Sequence, residues 1–273
     1  MRAIIATIFA IFLSSKAAQS ADVTLYDWER GSMGVILLGQ LEKGDAVKFK
    51  EAVANIKAKG AWLEQVNTYL QGDDNAEAIK IGEQIYALRA NTIAPLDWGG
   101  SDEPKHFICE AGVRDLSIEN YPETHKGDAR CTCTGACFFV WASGRGRSGS
   151  AIGVRGLKLD PKIYGQLSTS DAEAVYNRAK QDQKAFLLRV GISGQLAALP
   201  FTLDSNEIRY LSTADVTPLM GIASPYLREL TNAKCGQYTA PVRASDKLRL
   251  AWWDCHYKLR EQEARSAMKE WER

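Results

Sequence analysis

Between Gly34 and Pro95 the chain alternates short apolar runs with longer segments of helical spacing, an order that few architectures can satisfy. "GVILLGQL" (34–41) has the length and composition of a buried strand. "KGDAVKFKEAVANIKAKG" then spreads Val47, Phe49, Val53 and Ile56 along a helix, with Asp45 as its N-cap and Gly60 as its stop. "AWLEQVN" reads as a second strand and "TYLQGDDN" as a polar turn. "AEAIKIGEQIYALRA" is a second helix with Ile79, Ile81, Ile85 and Leu88 on or near one face, and "NTIAP" a third strand. Strands alternating with helices in this way predict parallel pairing through right-handed crossovers, the α/β class.

Ahead of this region, Arg2 precedes the apolar run "AIIATIFAIFL" and the small-residue stretch "SSKAAQSA". The pattern predicts a signal peptide over residues 1–20, cut before Ala21, with Ala18 and Ser20 as the small residues of the cleavage site. The apolar run is too short to span a bilayer, so no stable membrane insertion is expected and the mature protein should be exported, to the periplasm or beyond. About 250 residues then remain, 45% of the chain being hydrophobic and 25% charged, enough for a core without staples. A net charge of +1 without a concentrated basic run argues against nucleic acid as partner. No cofactor or metal is expected.

A long polar stretch, "DWGGSDEPKHFICEAGVRDLSIENYPETHKGDAR", follows residue 96 and reads as an inserted loop over 97–130. Next come the cysteine-rich turn "CTCTG", a helix "GACFFVWAS", a loop "GRGRSGS" and a strand "AIGVRG". Beyond Pro161, "STSDAEAVYNRAKQDQKAFLLRVG" is a long helix with Ser170 and Glu173 at capping-box spacing and Gly191 as stop. "SNEIRYLSTADVTPLMGI" carries a short strand and a capped helix, and a helical extension over 234–273 closes the chain after a domain over 21–233.

Six cysteines, an even number in an exported chain, predict disulfides. Cys235 with Cys255 would pin the last helix, and Cys133 with Cys137 lie close enough to pair, leaving Cys109 with Cys131. Sequence does not fix the connectivity. A zinc or iron–sulfur site built from Cys109, Cys131, Cys133 and Cys137 is the alternative, although the paired knuckles usual for zinc are missing.

From about Val35 to Gly221 the order of these segments resembles the Clp protease proteolytic subunit and crotonase superfamily, and within it the exported bacterial ClpP-like proteins. "GVILLGQLEKGDAVKFKEAV" is similar to that group's first strand and helix, and "VNTYLQGDDNAEAIKIG" to its second crossover, where members carry Asn-Ser-Pro-Gly-Gly. "CTCTGACFFVWASGRGRSGSAIGVRG" is similar to its nucleophile segment, and "NEIRYLSTADV" and "MGIAS" to the tail of the domain. The resemblance implies a spiral of βαβ units and, among partners, a homo-oligomer.

It also implies a site whose chemistry is gone. Gly135 falls where the family's nucleophilic serine stands, Arg155 at its histidine and Asp204 near its acid, with Asn67 and Gly72 in the oxyanion turn. Glycine has nothing to attack with, and a guanidinium stays protonated at any working pH. The reading that follows is a binding module for a peptide or protein, with Arg155 free to hold a carboxylate and Tyr69 or the "GDD" of 72–74 reshaping the groove. Two enzymatic alternatives remain: a serine hydrolase recruiting Ser143, Ser148 or Ser150 with His106 or His125 from the inserted loop, and a reactive thiol at Cys133 or Cys137. His256 beside Cys255 reads as a polar helix residue, and the tryptophans of the last helix as packing on their own domain.

Overall fold

The structure, a computed structural model, describes residues 20–97, 107–108 and 133–271. The signal segment up to residue 19, most of the inserted loop, and the candidates His106, His125, Cys109 and Cys131 lie outside the described residues.

The chain opens with β1 (Asp22–Asp27), β2 (Ser32–Gln40), α1 (Asp45–Ala58), β3 (Trp62–Gln71), α2 (Asn75–Leu88) and β4 (Asn91–Ile93). Parallel pairing holds as expected: β2 runs beside β3 from Ser32↔Trp62 to Gln40↔Gln71, and β3 beside β4 from Gln65↔Asn91 to Asn67↔Ile93. Val35, Ile36 and Leu37 on β2 and Val66 and Leu70 on β3 are all buried, which is why β2 reads as an apolar run, while β3 also buries Glu64, Gln65, Asn67 and Thr68. β1, which carried no clear signal, adds antiparallel to the outer side of β2.

Two sequence expectations are corrected here. "TYLQ" is not part of a turn, because β3 continues through Gln71 on its ladder with β2; Tyr69 and Leu70 are buried, so Tyr69 cannot reshape a groove. Asp45 is the first residue of α1 rather than its cap, a place taken by Gly44 at φ +105°. The Asp45 carboxylate instead accepts from the Glu42 amide at 2.8 Å, the Ala21 amide at 3.2 Å and the Ser20 hydroxyl at 3.0 Å.

The second half supplies β5 (Leu96–Asp97) with β6 (Phe107–Ile108), then β7 (Cys133–Thr134), α3 (Cys137–Ala142), β8 (Gly146–Ser148) and β9 (Ile152–Arg155). It continues with α4 (Pro161–Tyr164), α5 (Thr169–Arg189), α6 (Gly194–Ala198), β10 (Ile208–Tyr210), α7 (Thr213–Val216) and β11 (Gly221–Ile222). The main sheet has the order β1-β2-β3-β4-β8-β11, and β10-β9-β7 forms a second sheet. β8 lies inside the segment expected as the loop "GRGRSGS": its backbone ladders with β4 and β11 override the poor strand propensity of glycine. α5 is capped by Ser168, whose hydroxyl accepts from the Asp171 amide at 3.2 Å, one turn boundary earlier than the expected Ser170 and Glu173.

α8 (Pro225–Cys235), α9 (Ala240–Ala244) and α10 (Asp246–Glu270) finish the chain. The Cys235–Cys255 disulfide ties α8 to α10 as expected. α10 lies against β3: Arg260 pairs with Glu64, Glu263 with Arg145 at 2.7 Å, and the Arg265 guanidinium sits 4.1 Å from the Trp62 ring centre. The tryptophans pack within their own domain, Trp252 stacking on His256 at 4.9 Å and donating to the Gly236 carbonyl at 2.8 Å, while Trp253 keeps an open face.

Burial, with the charges of Arg260 and Arg145, pushes His256 from the ordinary 6.5 down to about 4. A folded-state value below the unfolded one means the stabilisation is complete above pH ~6.5 and is lost as pH falls toward about 4. Between pH 7 and pH 5 that loss amounts to roughly 1–2 kcal/mol. Urea midpoints measured from pH 7 to pH 5 should fall in the parent and stay flat in His256→Gln. That window lies above the range where Asp73, Glu77 and Asp215, all held below the ordinary carboxylate value, take up protons.

Candidate functional site

Gly135 stands between β7 and α3 with φ +63°, a conformation natural to glycine. Its amide donates to the Gly153 carbonyl at 3.0 Å, and the next amide, Ala136, donates to the Gly72 carbonyl at 2.9 Å. A Cβ built on Gly135 would collide with that Gly72 oxygen and would stand 3.7 Å from the Arg155 Cβ. Three of the sequence candidates, Gly72, Gly135 and Arg155, are therefore brought to one place by the β3–α2 turn, the β7–α3 turn and the end of β9. A disulfide between Cys133 and Cys137, with Cα atoms 5.1 Å apart, spans the Gly135 turn.

The Arg155 guanidinium pairs with Asp73, whose second carboxylate oxygen accepts from Lys158 at 3.0 Å. All three side chains are partly open to solvent. Burial works to raise the Asp73 carboxyl, but the hydrogen bonds and charges of Lys158 and Arg155 outweigh it and hold the group below the ordinary carboxylate range. Sequence reading singled out the "GDD" turn but gave no signal for Lys158, because that contact spans 85 residues.

Two candidates fall elsewhere. Asn67 is buried in the middle of β3, five residues before Gly72. An extended strand carries it about 16 Å from the turn, so it contributes nothing to an oxyanion site. Asp204 precedes β10, with its carbonyl oxygen lying where a side chain on Gly156 would be and its amide held by Glu207 at 3.3 Å. The carboxylate that pairs with Arg155 is that of Asp73.

The relocated serines are equally placed by the fold. Ser143 is buried and its hydroxyl donates to the Val140 carbonyl. Ser148 is exposed on β8, where its carbonyl accepts from the Trp141 indole at 2.9 Å, and Ser150 lies in the turn after it. The one described histidine, His256, belongs to the α10 stack. Cys133 and Cys137, bridged to each other, carry no thiol, which removes the thiol reading and two donors of the four-cysteine metal reading. Among the described residues no group of three or more His, Cys, Asp or Glu could hold a metal ion.

The arrangement can offer cationic hydrogen-bond donors, from Arg155 and Lys158, to a carboxylate; it presents no paired nucleophile and base among the described residues. Comparisons with protein-family models, with curated proteins and with solved structures returned no match.

Proposed function

We propose that the chain is an extracytoplasmic ClpP-like protein that binds a peptide or protein partner at the Gly135 turn without cleaving it. The observation that carries this reading is the Ala136 amide bonded to the Gly72 carbonyl at 2.9 Å. An acyl-transfer site needs free amides aimed at the developing oxyanion, and here a carbonyl already occupies the donor. A guanidinium held by Asp73 adds a second reason, since it cannot accept a proton. The neighbouring β10 is an outer strand of its sheet, and Ile208 faces Arg155 across the ladder, so an extended peptide added there would run past the Arg155 and Lys158 cations. Incubating the purified, disulfide-intact protein with a fluorophosphonate probe and a mixed peptide library should give neither adduct nor hydrolysis. A probe adduct on any serine would overturn the reading.

Placement outside the cytoplasm belongs to the same proposal. Two described disulfides suit an oxidising compartment, and no described helix is long and apolar enough to cross a membrane. Cleavage before Ala21 would place a new α-ammonium where the buried Ala21 amide now meets the buried Asp45 carboxylate at 3.2 Å, converting a neutral donor into a charged one. The exported product should therefore begin at Ala21 by N-terminal sequencing, and Asp45→Asn should lower its thermal midpoint by several degrees, about 1–3 kcal/mol for a buried polar group left poorly paired. A product starting elsewhere, or an unchanged midpoint, removes this role for Asp45.

A further inference from the structure

We propose that the cavity between the C-terminal ends of α2 and α5 and the first turn of α8 binds a small carboxylate bearing an apolar group. The cavity measures about 420 Å³, in the range of small-molecule sites. It lies apart from the Gly135 turn: Gly72 precedes α2 and Arg89 follows it, and the 14 residues of α2 extend over about 20 Å. The inference does not rest on the binding role assigned to that turn.

The lining includes Arg89, Arg145 and Arg189 and no acidic residue. Two of these charges are paired outside the lining, Arg145 with Glu263 at 2.7 Å and Arg189 with Glu83 at 2.6 Å. Arg89 has no ion-pair partner among the described residues. A fourth guanidinium stands against the wall: Arg147 is 4% exposed, donates to the carbonyl of the lining residue Val190, and has its Nε without a partner. It meets the Trp141 ring at 5.8 Å but, among the described residues, no carboxylate. Burial pushes its pKa down to about 10, with the nearby Tyr86 acting in the opposite sense. A buried cation without a counter-charge is costly, and an anion in the adjoining cavity would relieve that cost.

Two features add to the positive field. Ser224, the N-cap of α8, has a hydroxyl that accepts no helix amide, so this end of an 11-residue helix faces the cavity without a side-chain cap. Arg89 itself has φ +55°, a left-handed conformation that glycine or asparagine adopts more cheaply at a helix end. The remaining walls are largely apolar and include the rings of Tyr86 and Tyr226 with Val190. A bare inorganic ion would leave those walls wet, whereas an apolar carboxylate covers them and reaches the guanidinium groups.

Calorimetric titration of the purified full chain with 3-phenylpropionate, its primary amide and inorganic phosphate tests this directly. The acid should bind saturably and at least tenfold more tightly than either the amide or phosphate. A tripeptide ending in leucine, offered as free acid and as C-terminal amide, separates sources: binding of the tripeptide acid alone assigns the site to peptide ends, and binding of both acids to small carboxylates in general. Arg89→Gly should weaken acid binding at least tenfold while keeping or raising the thermal midpoint, because it relieves the left-handed backbone. Acid and amide binding alike, parent-like affinity in Arg89→Gly, or no saturable binding by any acid would overturn the proposal.

Discussion

Gly135→Ser, which would place a serine hydroxyl at the turn, is expected to cripple the fold instead of creating a hydrolase. At φ +63° any Cβ is strained, and this one would drive into the Gly72 carbonyl oxygen that accepts from Ala136. Neither neighbour can step aside: Gly72 joins β3 to the capped start of α2, and the Gly135 turn is spanned by the Cys133–Cys137 bridge. Left-handed strain together with a backbone collision should cost about 3–5 kcal/mol, or roughly 10 °C or more in the thermal midpoint. Gly135→Ala should lose as much, since the obstacle is the Cβ and not the hydroxyl. Arg155→His, on a half-open side chain, should cost far less. A Gly135→Ser protein that melts with the parent would show that the turn is looser than its geometry implies, and would reopen the question of acyl transfer.

Removing the carboxylate of Glu263 should be comparably damaging for a different reason. Its Oε2 accepts from both Nε and Nη2 of Arg145, at 3.0 and 2.7 Å, with both residues buried. Glu263→Ala would leave a guanidinium charge in the interior between β8 and α10, for which a loss of about 3–5 kcal/mol is expected. Arg145→Met combined with Glu263→Leu should recover most of that loss, because two apolar side chains replace a pair whose attraction only offsets its desolvation. Chemical denaturation of Arg145→Met, Glu263→Leu and the double variant completes a mutant cycle. Additive losses in the double variant would mean that the two charges are answered separately.

The legible part of the fold was the part with local causes. The β2–α1–β3–α2–β4 order and the helix closing the chain follow from spacing and composition, and the pairings of Cys133 with Cys137 and of Cys235 with Cys255 were among the fifteen that sequence left open. What escaped depends on distant partners. β8 is a strand because β4 and β11 lie on either side of a glycine-rich segment, and β3 extends through Gln71 because β2 is there to pair with it. In the site, the resemblance singled out Gly135 and Arg155, but Lys158 and the Gly72 carbonyl could not be picked out, since a backbone oxygen leaves no trace in a residue name. The arginine-lined cavity was invisible for the same reason, being assembled from the ends of elements that the chain visits far apart.

The docking of α10 on β3 also bears on how this molecule comes into being. Glu64 and Trp62 emerge early in synthesis, yet the arginines that cover them, Arg260 and Arg265, are among the last residues made. Until then that face of the sheet stays open, and the long sequence separation of the contact delays its closure further. A premature stop between Gly236 and Cys255 would remove the cover and the disulfide together, leaving an early-formed sheet with its apolar side exposed to other nascent chains.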